Sequence, residues 1–251
     1  MVKVDLVTLL GPRKRFFQLV DQYNLKYRAG VHSKTLYMTM VDKYRHTSNY
    51  PSIFVGDSYL RLAYDTLHEW NMNQRGAKLV GYDKFASSVR NNTRNLTTLS
   101  AYRFDLLSTH QLPTLFQLIS PVFHSLDVMA TRARIVGVSK TLHFLLPDLM
   151  MPIDRNNVLS LLYLGGRYSS QPTKEFSDLK DVFNAYHALA QNLNLSQADI
   201  DGEGWNTSVP KLIDNALIAF VAEITASPIP PTTGSHQPQP PSTALPLPGL
   251  L

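Results

Sequence analysis

No cysteine occurs among the 251 residues, which excludes disulfides, thiolate-bound zinc and cysteine-held iron–sulfur clusters. The chain also lacks any uninterrupted apolar run of membrane-spanning length. Its opening, MVKVDLVTLLGPRKRF, has too short an apolar run and too early a basic cluster for a secretory signal. A cytoplasmic protein without a membrane partner is the expectation, so the Asn-x-Ser/Thr tripeptides at Asn91, Asn95, Asn194 and Asn206 carry no glycan. Missing too are a phosphate-cradling GxxxxGK[ST], a dinucleotide glycine fingerprint and a GxSxG elbow, and His68-Glu69 lacks the second histidine that a zinc-protease helix requires. Nucleotide hydrolysis, serine-esterase and metal-hydrolysis chemistry lose their support, and neither a cofactor nor a metal is expected. From Thr225 to Leu251 there is no Lys, Arg, Asp or Glu, while proline recurs at 228, 230, 231, 238, 240, 241, 246 and 248.

Such a stretch buries little and cannot make helix hydrogen bonds, which predicts a disordered Pro-rich tail over residues 225–251. It reads either as a passive appendage or as the ligand of a proline-reading module. Its sequence names no partner, and Pro240-Pro241 lacks the flanking arginines usual in such ligands.

Residues 1–224 contain no linker-like break and predict a single domain. Period-two alternation is scarce, Ser52 to Val55 being its best instance, whereas apolar residues recur at three- and four-residue steps almost throughout. Phe16, Leu19, Val20, Tyr23 and Tyr27 mark a first helix, and Leu36, Met40 and Tyr44 a second. Asp57 is placed to cap a third, with Leu60, Leu67 and Trp70 inward. Further helices follow from Asp83, around Pro113 and Pro121, from Glu175 to Leu193, and from Ser208-Val-Pro, a cap with proline in the first turn. The fold class is therefore all-α: a compact, irregular domain of about ten helices. A net charge of +5 favours an anionic partner.

The most apolar segment, Arg134 to Leu162, carries Lys140 near one end and Asp154 near the other. Gly137 can supply a tight turn, with a helix from Val138 or Ser139 to Pro147 and a second helix starting at Asp154. Both charged residues then lie in first turns. The first helix spans roughly 12 Å at 1.5 Å per residue, and the connector to Ile153 reaches about 23 Å when extended. The chain can double back and bring them together. A helix N-terminus and partial burial would disfavour the ammonium form of Lys140 and leave it nucleophilic, while Asp154 would stabilise developing positive charge. Asp154 reads equally as an N-cap, and Lys140 as a solvated lysine. His143, alone on an apolar helix, reads as a satisfied core residue. Lys211 and Asp214, at helical spacing, read as a modest surface pair, and Arg13 to Arg15 as the wet face of the first helix.

Gly137-Val138-Ser139-Lys140-Thr141, an apolar helix, and then Pro152-Ile153-Asp154 opening another helix resemble the core of the helix-hairpin-helix DNA glycosylase superfamily. That resemblance implies a helix-hairpin-helix-like element, double-stranded DNA as partner, and removal of a damaged or modified base flipped into a pocket. By position, Lys140 matches the catalytic lysine and Asp154 the catalytic aspartate. Ser139 stands where the family's hairpin has its second glycine. The segments GVSKTLHFLLPDL, PIDR, RGAKLV and KLIDNA together also resemble a family of uncharacterised prokaryotic helical proteins, which implies relatedness of fold. Arg132, Arg134, Gly137, Ser139 and Arg155, around the expected hairpin and second helix, and Arg75 and Lys78, beside Gly76, are the candidate nucleic-acid contacts. The other reading is a noncatalytic helical module that binds nucleic acid or protein.

Overall fold

The computed structural model describes residues 4–26, 31–70, 72, 77–131, 134–164, 172–202 and 204–226. Among them lie twelve α-helices and no β-strand. α1 (Leu6–Leu10) is capped by Asp5, whose side chain accepts from the Val7 amide. α2 (Arg13–Lys26) begins after Gly11-Pro12 and buries Phe16, Leu19, Val20 and Tyr23; Tyr27, expected on it, lies outside the described residues. α3 (Val31–Arg45) buries Tyr37, Met40, Val41 and Tyr44.

α4 (Tyr50–Val55) corrects the strand-like reading of Ser52 to Val55. The Asn49 side chain accepts from the Ser52 amide and Pro51 occupies the first turn, so capping chemistry outweighs a short alternation. α5 (Asp57–Glu69) is capped by the Gly56 backbone, one residue before the expected cap; Asp57 instead accepts from Tyr82 and Arg90. α6 (Tyr82–Asn91) and α7 (Thr93–Leu99) follow. α8 (Leu112–Ser125) continues through Pro121, which lies inside the helix.

α9 (Ile135–Leu145) buries every residue except Val136, as a helix apolar on all sides must. It stops before Pro147, whose ring disfavours a helical conformation at Leu146. A π-helical turn, Arg155–Leu159, runs into α10 (Ser160–Leu162). α11 (Pro172–Leu193) and α12 (Val209–Ala226) complete the fold. Ser208 and Pro210 start α12 as expected: the Ser208 hydroxyl accepts from the Lys211 amide. α12 ends two residues beyond the expected domain limit at 224, and the Pro-rich tail lies outside the described residues.

α12 packs along α2 and α3 along α5, and α9 touches α3, α5 and α11. One continuous apolar core results, from Leu6 to Ala219. The isolated antiparallel bridge Leu79–Met129 ties the segment after α5 to the one before α9. No helix among the described residues is long and apolar enough to cross a membrane.

Candidate functional site

The start of α9 differs from the expected hairpin. The helix begins at Ile135, so Gly137 is helical instead of forming a tight turn, and its role is close approach: a Cβ there would meet Met129 Sδ at 2.4 Å. Two amides at this helix end are already satisfied. Glu175, 1% exposed in the first turn of α11, accepts from the amides of Arg134 at 2.7 Å and Ile135 at 3.2 Å. A carboxylate of the protein itself thus occupies this positive helix end, which its charge complements. The Arg134 guanidinium turns to the last carbonyls of α8, reaching Leu126 O at 2.5 Å and Phe123 O at 3.3 Å. Ser139 is also structural: its hydroxyl donates to Val136 O and accepts from the Ile153 amide at 3.1 Å. Gly137, Ser139 and Arg134 therefore help to hold α9 in place.

The connector after α9 doubles back, as its length allows. The bond from Ile153 to Ser139 and a second from His143 Nδ1 to Met150 O, at 2.7 Å, lay it along the helix. Met150 O only accepts, so Nδ1 carries the proton. Nε2 faces the Tyr37 hydroxyl at 2.8 Å, which in turn meets Thr207 at 2.6 Å. His143 is the satisfied core residue expected, and burial pushes it down to about 3. Asp154 is the expected N-cap: Oδ1 accepts from the amides of Asn156 and Asn157, both at 2.9 Å, and from the Asn157 side chain.

Lys140 sits in the second turn of α9, away from the helix end, so the dipole does not depress its basicity. Burial does. The residue is 8% exposed, and desolvation lowers the amine's pKa, opposed by the charges of Asp154 and then Asp214, with Lys211 adding to the lowering. Its Nζ donates to Trp70 O at 3.3 Å and lies 5.7 Å from the centre of the Trp70 ring. Among the described residues no ion pair joins Lys140 to a carboxylate.

Lys211 and Asp214 overturn the surface-pair reading: at 2% and 4% side-chain exposure they form a buried ion pair, 2.5 Å between Nζ and Oδ2. Lys211 Nζ is 5.4 Å from the centre of the same Trp70 ring and faces Tyr23 and Trp205 as well. Burial raises the pKa of Asp214, opposed by Lys211. Asp154 and Lys140 also act on it, so two lysines from α9 and α12 and two aspartates share one electrostatic centre. The Tyr186 hydroxyl of α11, fully buried and without a hydrogen bond, feels both aspartates.

Lys140 and Lys211 thus meet at the Trp70 ring, with Asp214 bonded to Lys211 and Asp154 acting on Lys140 by its charge; Lys211, Asp214, Trp70 and Trp205 were not among the expected site residues. Lys211, Asp214 and Asn215 share one helix face at three- and four-residue spacing, so nothing local separates a buried pair from a surface one. Among the remaining candidates, Arg155 is exposed beside the Asp154 cap, and Lys78 is exposed while its carbonyl accepts from Ala130. Arg75 and Arg132 lie outside the described residues. Arg13 is not simply a wet face: it holds the end of α11 through Leu193 O at 2.5 Å and pairs with Asp199. No group of three His, Asp or Glu able to hold a metal occurs among the described residues. Compared with protein-family models, with curated proteins and with solved structures, the chain matches none.

Proposed function

We propose that the chain is an intracellular DNA-binding enzyme of the glycosylase type, which removes a damaged or modified base with Lys140 as nucleophile and Asp154 as its electrostatic partner. One observation carries this reading. Lys140 is a desolvated amine with no carboxylate bonded to it, yet it lies in the field of Asp154 and Asp214. Buried charge is costly and commonly marks a working site. An amine that keeps its lone pair can attack C1′ of a nucleotide. The bond from nitrogen to C1′ forms as the bond from C1′ to the base breaks, and the base departs with the bonding electrons and takes up a proton. The amine loses a proton to water, the C1′–O4′ bond breaks with its electrons as O4′ takes up a proton, and the nitrogen lone pair forms the iminium ion. Asp154 stabilises the positive charge that develops at the sugar. Trp70, half-buried, offers a flat face for a base taken out of the stack, and the charge of +5 attracts the phosphates.

The noncatalytic helical module remains a second reading because a specific observation favours it: Arg134, Gly137, Ser139 and the start of α9 are all committed to internal contacts. Borohydride trapping on duplex DNA carrying an abasic site or a panel of modified bases separates the two. The enzyme gives a covalent adduct that disappears in Lys140→Ala and persists in Lys26→Ala, at an exposed lysine outside the candidate site. Salt-sensitive DNA binding with neither adduct nor base release selects the module. Absence of both binding and adduct removes DNA from the account.

A further inference from the structure

The centre holds two amines against one indole ring but leaves only one of them paired. Lys211 Nζ is 2.5 Å from Asp214 Oδ2, and Lys140 Nζ is bonded to the Trp70 carbonyl instead. The two nitrogens lie 5.4 and 5.7 Å from the centre of the same Trp70 ring. Without Lys211, the buried Asp214 carboxylate would have a single nearby cation left, Lys140. An ammonium ion bonded to a carboxylate has no lone pair to offer.

We propose that Lys211 is a positioning residue that holds the Asp214 carboxylate for itself and thereby leaves the Lys140 amine unpaired and able to react. This rests on the reading of Lys140 as the reacting amine, but not on its substrate. Three observations support it. Lys211 is fixed: it is 2% exposed and is bounded by the rings of Tyr23, Trp70 and Trp205. Asp214 is buried with it and acts on Lys140 through space. The charged groups that act on Lys140 are Asp154 from the connector and Lys211 and Asp214 from α12, so the balance turns on which lysine Asp214 meets. Two carboxylates favour the ammonium form of Lys140, Asp154 foremost and then Asp214, and Lys211 opposes them.

The test measures Lys140 without DNA, so that its failure and that of the glycosylase reading are separate. The intact protein is labelled with trace acetic anhydride across pH, and Lys140 modification is read by peptide mass spectrometry against exposed Lys26 as internal standard. In Lys211→Met the titration midpoint of Lys140 moves up and its labelling at neutral pH falls about threefold or more, because Asp214 turns to it. Lys211→Met/Asp214→Leu removes the carboxylate as well. There the midpoint returns to the wild-type value or below, and labelling recovers. A purely structural role gives shifts of the same sign in both variants, because looser packing exposes Lys140 in each. Same-sign shifts, or no shift in Lys211→Met, overturn the proposal. The double variant keeps apolar packing in place of the pair and needs no buried charge. If the single variant does not fold, the double variant and Asp214→Asn decide, and a raised Lys140 midpoint in either refutes the assignment.

Discussion

Acidification should destabilise this protein through His143. Its ring is fully buried, and burial, helped by the charge of Lys211, pushes it down to about 3 from an ordinary value of 6.5. A histidine in the unfolded chain takes up a proton below about pH 6.5, whereas the folded chain refuses one until about pH 3. The unfolded state therefore binds more protons throughout that window, and stability falls as pH falls. At about 1.4 kcal/mol per pH unit, the loss is about 2 kcal/mol at pH 5 and about 3 kcal/mol at pH 4. Burial acts on three carboxyls with the opposite sign. Asp148, Asp178 and Asp214 are raised in the fold, so their contributions are fully present below the ordinary carboxylate range and are lost as pH rises through the raised values. The total curve mixes both signs, and a difference measurement is required. Urea unfolding of wild type and His143→Gln, a residue that keeps a donor for Met150 O, is followed between pH 7 and pH 4. The variant starts less stable, and the gap between the two proteins narrows by about 2 kcal/mol on reaching pH 5. Parallel curves would refute the reasoning, since the ring would then titrate alike in both states.

Substitutions at two further positions, Gly137 and Asp154, test the packing and capping roles described above. Gly137→Ala gains about 1 kcal/mol of helix propensity, but its Cβ meets Met129 Sδ at 2.4 Å and Cγ at 2.6 Å. Overpacking of about 1–3 kcal/mol outweighs that gain, and shortening the contact with Met129→Ala makes the same Gly137→Ala change neutral or stabilising; thermal unfolding of the four proteins checks this, and a stabilised Gly137→Ala single variant would contradict it. Asp154→Ala loses the acceptor for two amides and costs about 1–2 kcal/mol, whereas Asp154→Asn still caps and stays within about 0.5 kcal/mol of wild type. The same two proteins separate capping from chemistry, because both lose borohydride-trapped adduct if the Asp154 charge matters, and equal stability losses would show that the charge itself supports the helix start.

Local chemistry made much of the architecture legible in the chain itself. Apolar spacing, caps such as Ser208-Val-Pro and Asp154, and breakers such as Pro147 act over one or two turns, so their effect is written in adjacent residues. The all-α class, the buried segment from Arg134 to Leu162, the doubled-back connector and the satisfied His143 follow from them. Short-range signals failed where two of them competed: in Ser52 to Val55, alternation lost to the Asn49 cap and Pro51.

What only the tertiary structure decided concerns partners distant in the chain. The amides at the start of α9 await an acceptor, and nothing near Arg134 reveals that Glu175, 41 residues on, supplies it. Lys211 and Asp214, three residues apart, have the same spacing on a wet helix face as in a core, and only the packing of α12 against α2 and the Trp70 ring removes their water. Spacing fixes which side chains share a face, whereas the energy of a charge depends on what covers that face. That covering comes from elements far apart in the chain, so the sequence could supply Lys140 and Asp154 as candidates while the fold alone set the environment that gives their chemistry a meaning.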